Sequence, residues 1–254
     1  AYELGRRDWS SDVCSSDLHF DYLDVDSVIQ EQKAFGACRD VTLEYPVAEN
    51  EGEEDNTYLS YNMVVGNAAD SQMAMAFEVL DYALLSAPGA PLQQALLDVK
   101  AGKDVYGSYD DGILQPYFTV IAKGSNPDRK EEFVSVIRQV LGDIVKNGID
   151  KKAVEAGINY FEFRYREADF SSYPKGLMYS LDILGDWLYE QGNPFAQVQQ
   201  LEVFEKLKAA VNEGYFEELI RKYLLENPHG CVLTLVPKKG LAAKREKELE
   251  EKLE

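Results

Sequence analysis

Between Thr57 and Asp98 the hydrophobic period of the sequence changes from two to three-and-a-half, and that change constrains the fold more than any other stretch. Leu59, Tyr61, Met63 and Val65 alternate with Tyr58, Ser60, Asn62 and Val64, which is the period of a strand with two different faces. Gly66-Asn67 ends the strand, and the Asp70 carboxylate is placed to accept from the first turn of a helix. Met73, Ala76, Phe77, Leu80 and Leu84 then recur every three or four residues, the stripe of a helix lying on a sheet. Pro88-Gly89 breaks that helix. Pro91 restarts another at its first position, where a missing N–H is harmless, with Leu92, Ala95, Leu96 and Val99 as its apolar edge.

The same two periods organise the rest of the chain. Val105–Tyr109 and Pro116–Ala122 read as antiparallel strands joined by Asp110-Asp111-Gly112, which supplies turn chemistry. Asn126-Pro127 predicts a helix start with an Asn cap, carrying Phe133, Val136, Ile137, Val140, Leu141 and Ile144 inward. Gly148 closes it, and Asp150 opens a helix with Val154, Ile158, Phe161 and Tyr165. After Ser172-Tyr-Pro174, Leu177, Leu181, Leu184 and Leu188 form a further stripe, with Trp187 beside it read as core. Gly192-Asn193-Pro194 predicts a turn. Two helices come next, the first with Val198 and Leu201 and the second with Phe216, Leu219, Ile220 and Tyr223. Cys231–Val236 is a last strand stopped by Pro237, and Val41–Tyr45 is a weak edge strand. The expected class is α+β: a mainly antiparallel β-sheet with helices packed mostly on one face.

Charge excludes several functions. Twenty-six basic residues against 45 acidic ones leave the 254-residue chain at −19, which repels phosphates and argues against nucleic acid. No run approaches the ~18 apolar residues of a membrane helix, so no membrane partner is expected. The balance suits a cationic partner, although most acidic proteins are acidic for solubility. Glu49 to Asp55 packs five carboxylates into seven positions, a run that repels itself and reads as a solvated loop. Cys14, Cys38 and Cys231 have no paired spacing, so neither a disulfide framework nor a thiolate metal site is indicated, and a reducing compartment is expected.

Three stretches carry a family likeness: Tyr45-Pro-Val-Ala-Glu49, Val79-Leu-Asp-Tyr-Ala-Leu-Leu-Ser86 and Ala90-Pro-Leu-Gln-Gln-Ala-Leu-Leu-Asp98. Together they resemble the insulinase/pitrilysin family of zinc peptidases, within it the presequence-protease branch, and there the second domain. Asn227-Pro-His229 before the last strand adds to the resemblance, which runs from about His19 to the end. Residues 1–18, with Ser-Ser-Asp twice, resemble instead the translation of a sequencing-library adapter. The resemblance implies residues 19–56 as a connector from an upstream catalytic domain, 57–238 as the non-catalytic domain, and 239–254 as the start of a helical linker. It implies zinc-dependent endoproteolysis of peptides by the parent enzyme, with this chain as chamber wall. Its partners would be that catalytic domain, the second half of the same enzyme, and peptide substrates that could be basic. The expected compartment is the cytoplasm.

The family's catalytic motif, His-x-x-Glu-His with a distant glutamate, is not in this sequence, whose two histidines are His19 and His229. No residue is assigned to catalysis, and none to zinc. His229, lone in a turn, reads as a hydrogen-bonding or exposed residue. Phosphate loops and nucleophile elbows are missing as well. Arg164 and Arg166 are the two substrate-binding candidates, since a guanidinium fork suits a carboxylate. The competing reading pairs them with Glu162, Glu167 or Asp169 on the helix surface. Two other functions fit the same residues: a family member that has lost catalysis and serves as a scaffold or assembly subunit, or a free-standing peptide-binding module.

Overall fold

Five strands and eight helices alternate along residues 28–253 of the computed structural model, which describes these residues except 69, 169, 190–194 and 196–197. The chain divides into two units, Ala1–Gln30 and Glu31–Glu254, and every strand and helix named here belongs to the second. In order that unit comprises β1 (Arg39–Val47), β2 (Thr57–Val64), α1 (Ser71–Asp81), α2 (Pro91–Asp98), β3 (Asp104–Asp110) and β4 (Tyr117–Ser125). Then come α3 (Lys130–Asn147), α4 (Lys151–Glu167), α5 (Lys175–Trp187), α6 (Leu201–Ala210), α7 (Tyr215–Leu219), β5 (Gly230–Lys239) and α8 (Leu241–Leu253). Wider, π-type turns prolong α1 over Tyr82–Ser86 and α7 over Ile220–Leu225.

The strand order is β1-β5-β2-β4-β3, with β1 parallel to β5 and every other pairing antiparallel. The period-two strand is the centre of the sheet. Its register sets Leu59 beside Ala122, Tyr61 beside Val120 and Met63 beside Phe118, so one face is apolar across neighbouring strands. Phe77, Leu80 and Leu84 of the α1 segment, Phe133, Ile137 and Leu141 of α3, and Ile158 of α4 pack on that face. Phe204 and Leu207 of α6 and Phe216, Ile220 and Leu224 of the α7 segment complete the same cluster. Burial of each such side chain contributes roughly 1.5–3 kcal/mol, so the core outweighs any single cap or turn. The Tyr61 hydroxyl donates to the Leu224 carbonyl at 2.6 Å and ties the central strand to the α7 segment.

The helix signals act largely as the residues predict. Asp70 accepts from the Met73 N–H at 2.9 Å, and Asp150 accepts from Lys152 and Ala153 at 2.9 and 3.4 Å. Asn126 is a correction. Its side chain does not cap; it exchanges two hydrogen bonds with Asp55, and one 3-10 turn (Pro127–Arg129) precedes α3. Pro237 does not stop β5 either. Pairing with β2 ends at Leu235, so Pro237 has only β1 beside it, where a missing N–H is tolerated.

Two further expectations differ from the structure. Val198 precedes α6 and Leu201 is exposed at its start, whereas Val203, Phe204 and Leu207 supply its buried face. The α5 stripe and Trp187 are exposed as well, so Trp187 is not core. Cys14, His19, residues 1–18 and the turn expected at Gly192–Pro194 lie outside the described residues.

Candidate functional site

The face of the sheet opposite the core supplies nothing to the hydrophobic cluster. Alternation puts Tyr58, Ser60, Asn62 and Val64 of β2 there. Pairing adds Thr119 and Ile121 of β4, Cys231 and Leu233 of β5, and Val41 and Leu43 of β1. At its centre Thr119 Oγ1 donates to Asn62 Oδ1 at 3.0 Å, and Asn62 Nδ2 donates to Ser60 Oγ at 2.9 Å and the Cys231 carbonyl at 3.0 Å. This network fixes a polar strip between apolar flanks. Leu43 and Tyr106 stand out toward solvent near the two edges. Ser60 and Thr119 are themselves buried, so an extended chain on this face would meet mainly the larger apolar side chains around them.

A second feature lies on the helical side. A cavity of about 450 Å³ opens between α1, α4, α5 and the β3–β4 turn, and Glu78, Asp111, Arg164 and Asp182 line it. Burial pushes the Glu78 carboxyl up to about 7; the nearby Asp111 and Asp81 add to the rise and Arg164 opposes it. Burial likewise raises Asp111, and Asp81 reaches about 6. Sequence reasoning passed over this group, yet a signal existed: Glu78 sits between Phe77 and Val79 on a helix buried on most sides.

The two arginine candidates are not brought to one place. Arg164 lines that acidic cavity, with its guanidinium 5.6 Å from the centre of the Tyr160 ring. Arg166 is held by Glu162, whose other oxygen accepts from Lys208 of α6 at 2.6 Å. It borders a separate cavity of about 600 Å³, walled by Tyr165, Tyr179, Ile183, Phe195 and Val198.

His229 is buried rather than exposed. Its N–H donates to Asn227 Oδ1 at 2.8 Å, its carbonyl accepts from Val64, and its ring meets Phe35 edge-on at 4.7 Å. Burial first, then the Arg39 charge, pushes its pKa down. A cation beside an enclosed, neutral imidazole does not invite a metal. Among the described residues no three His, Cys, Asp or Glu side chains converge as a ligand set, so the residues present do not fit zinc. Nor does any described helix have the length and apolarity to cross a membrane.

A mixed sheet with a helical layer packed on one of its faces defines an α+β half-domain. Comparison with known proteins gives the family. Residues 23–161 match the model of the peptidase M16 inactive domain, and the chain belongs to the M16 metallopeptidase family as a domain of that inactive type. It is 41% identical over 236 residues to protein HypA of Clostridium perfringens, covering 93% of this chain and 24% of that protein. It is 29% identical to presequence protease 1, chloroplastic/mitochondrial, of Arabidopsis thaliana, covering 87% and 21%. The chain therefore spans about a quarter of the length of these relatives. In fold it is similar to a putative M16-like peptidase from Alicyclobacillus acidocaldarius (TM-score 0.57, 18% identity, 79% of this chain and 43% of that one). The inactive peptidase domain of a putative zinc protease from Bordetella parapertussis is another neighbour (TM-score 0.55, 12% identity, 72% and 91%).

Proposed function

We propose that this chain is the non-catalytic domain of a zinc-dependent metalloendopeptidase that degrades peptides, and that its open sheet face is part of the wall enclosing the substrate. One observation carries the reading: a domain of the inactive type presents a complete sheet face that no core residue uses. An unfolded peptide laid on that face meets apolar side chains on either side of the Ser60–Asn62–Thr119 strip. Catalysis then belongs to a partner domain carrying the zinc motif, and this chain supports and confines. Arg39–Val47 completes the wall as its edge strand, next to the unit 57–238. A net charge of −19 favours basic peptides among the substrates. Free Cys38 and Cys231 fit a reducing compartment, the cytoplasm.

The test is direct. The purified chain, incubated with fluorogenic peptides and added zinc, is expected to cleave none, and a partner bearing the zinc motif is expected to restore cleavage. Zinc-dependent hydrolysis by the chain alone, lost on adding a chelator, overturns the non-catalytic assignment.

A further inference from the structure

One segment is fastened to the domain at few points. Residues 31–38 run across the end of the sheet ahead of β1 without regular structure, and all of them except Phe35 and Cys38 are exposed. The Gln32 N–H donates to Gln115 Oε1 at 2.6 Å, and Gln115 Nε2 donates back to the Gln32 carbonyl at 3.1 Å. Asn67 Nδ2 donates to Glu31 Oε1 at 2.8 Å. These bonds compete with water and each contributes little. The apolar anchor is Phe35, whose ring meets that of His229 edge-on with 4.7 Å between centres.

His229 is only 7% exposed, and no hydrogen bond or ion pair reaches its ring from the described residues. Few charges surround it. The Arg39 guanidinium lies 3.8 Å from the centre of the Phe35 ring. Glu31 and Lys33, the other charges of the segment, are exposed. On the α7 side, Lys222, Tyr223 and Glu226 share with His229 a cavity of about 430 Å³, which Ala34 of the segment also borders. Glu226, the acid of that group, is held by Arg221 at 2.6 Å. The β5 strand adds the Cys231 thiol, and β2 and the β3–β4 turn bring no titratable group to the cavity. Burial first, then Arg39, pushes the His229 pKa below its ordinary 6.5.

A proton on this ring therefore needs water. Most of the enclosure cannot yield: the Val64 N–H donates to the His229 carbonyl at 2.9 Å, and Asn227 Nδ2 donates to the Val64 carbonyl at 2.7 Å. Phe35 is the part held only by an exposed segment. We propose that residues 31–38 are an acid-released latch: Phe35 seats on a neutral His229 and closes the segment over the cavity, and a proton on His229 drives both off. A depressed folded-state pKa means that the latch is at full strength above about pH 6.5 and weakens as pH falls below it. The segment leads directly into β1, so its release frees the start of the sheet's edge strand. The latch does not depend on the proposed peptide-enclosing role.

The 254-residue chain has two histidines, so NMR follows the His229 imidazole, with His19→Gln assigning the signals. At about pH 7.5 the nuclear Overhauser contact between the Phe35 and His229 rings is expected to be present and residues 31–38 rigid by nitrogen relaxation. At about pH 5 the contact is expected to fall at least about twofold and the segment to become mobile, with β2 and β4 still rigid, since one proton shifts an opening equilibrium by at most about tenfold per pH unit. Phe35→Ala, on the exposed segment, is expected to return the His229 pKa toward 6.5, and Arg39→Gln to raise it less. His229→Phe, aromatic with no proton to gain, is expected to keep the segment rigid at both pH values. Glu31→Gln, which leaves Asn67 an acceptor, is expected to keep the pH response. A response that survives His229→Phe or disappears in Glu31→Gln overturns the proposal, and so does a segment equally rigid at both pH values in the parent. Where His229→Phe does not fold, the Phe35→Ala titration decides alone: an unmoved His229 pKa overturns the latch.

Discussion

Glu162 and Arg166 lie one turn apart on α4, and a single oxygen of the carboxylate, Oε1, accepts from both Nε and Nη2 of the guanidinium at 2.8 and 2.6 Å. Lys208 takes the other oxygen from α6. The group is a brace between two helices, and Arg166 is committed to it. Glu162→Gln is expected to cost about 1–2 kcal/mol in urea unfolding at pH 7, because the three charge-assisted bonds accepted by this largely buried carboxylate lose its negative charge or its acceptor oxygen. Hydrogen bonds from Lys208, then Arg166, hold the Glu162 pKa below its ordinary value. Its contribution is therefore present above the ordinary carboxylate pKa and lost as pH falls through the depressed one. The deficit of the variant should shrink toward pH 3; one that stays constant contradicts the brace.

A smaller effect is expected at Asp70. Its carboxylate satisfies the Met73 N–H at the start of α1, the helix that covers the centre of the sheet. Asp70→Ala should destabilise by about 1 kcal/mol, and Asp70→Ser by clearly less, since serine also caps. Equal losses in thermal unfolding would assign the effect to charge and not to the cap.

Two glycines should respond with opposite sign to the same substitution. A Cβ on Gly107 of β3 would sit 2.7 Å from Asp81 Oδ1 and 2.9 Å from the Thr119 carbonyl, besides overlapping Leu85. The carbonyl belongs to the neighbouring strand and cannot step aside. Gly107→Ala is expected to cost about 2 kcal/mol or more. A Cβ on Gly142, within α3, would meet nothing within 4 Å. There alanine removes only backbone freedom from the unfolded chain, and Gly142→Ala should stabilise by about 0.5–1 kcal/mol.

These positions also show what was legible in the sequence. The alternation of β2, the Asp70 and Asp150 caps and the β3–β4 hairpin arise from local period and turn chemistry, and all are present. What failed was decided by partners distant in the chain. Asn126 looks like a cap, but Asp55, 71 residues away, competes for its amide. Pro237 looks like a stop, but the strand on one side of it has already ended. A leucine stripe specifies a helix with an apolar side and is silent on what faces that side, which is why α5 reads as core and is exposed. For the site, the missing histidine motif was readable directly from the residues. The acidic cavity was not, because Glu78, Asp111 and Asp182 come from three separated segments that only the fold brings together.

Glu78 gives that cavity a measurable signature. Burial is the main reason its pKa rises from 4.5 to about 7, with Asp111 and Asp81 adding like charge and Arg164 working the other way. A raised folded-state pKa means that the native chain binds this proton more tightly than the unfolded chain does. The stability it confers is fully present below about pH 4.5 and lost as pH rises through about 7. From the size of the shift the loss is about 3 kcal/mol at most, with Asp81, raised to about 6, adding to it over a lower window. Glu78→Gln keeps the shape and removes the charge. It should leave stability near pH 4.5 almost unchanged and raise it by about 1–3 kcal/mol at pH 8. Urea unfolding of both proteins across that range checks the sign. A variant less stable than the parent at pH 8 would mean that the ionised Glu78 is held by Arg164 more strongly than burial penalises it.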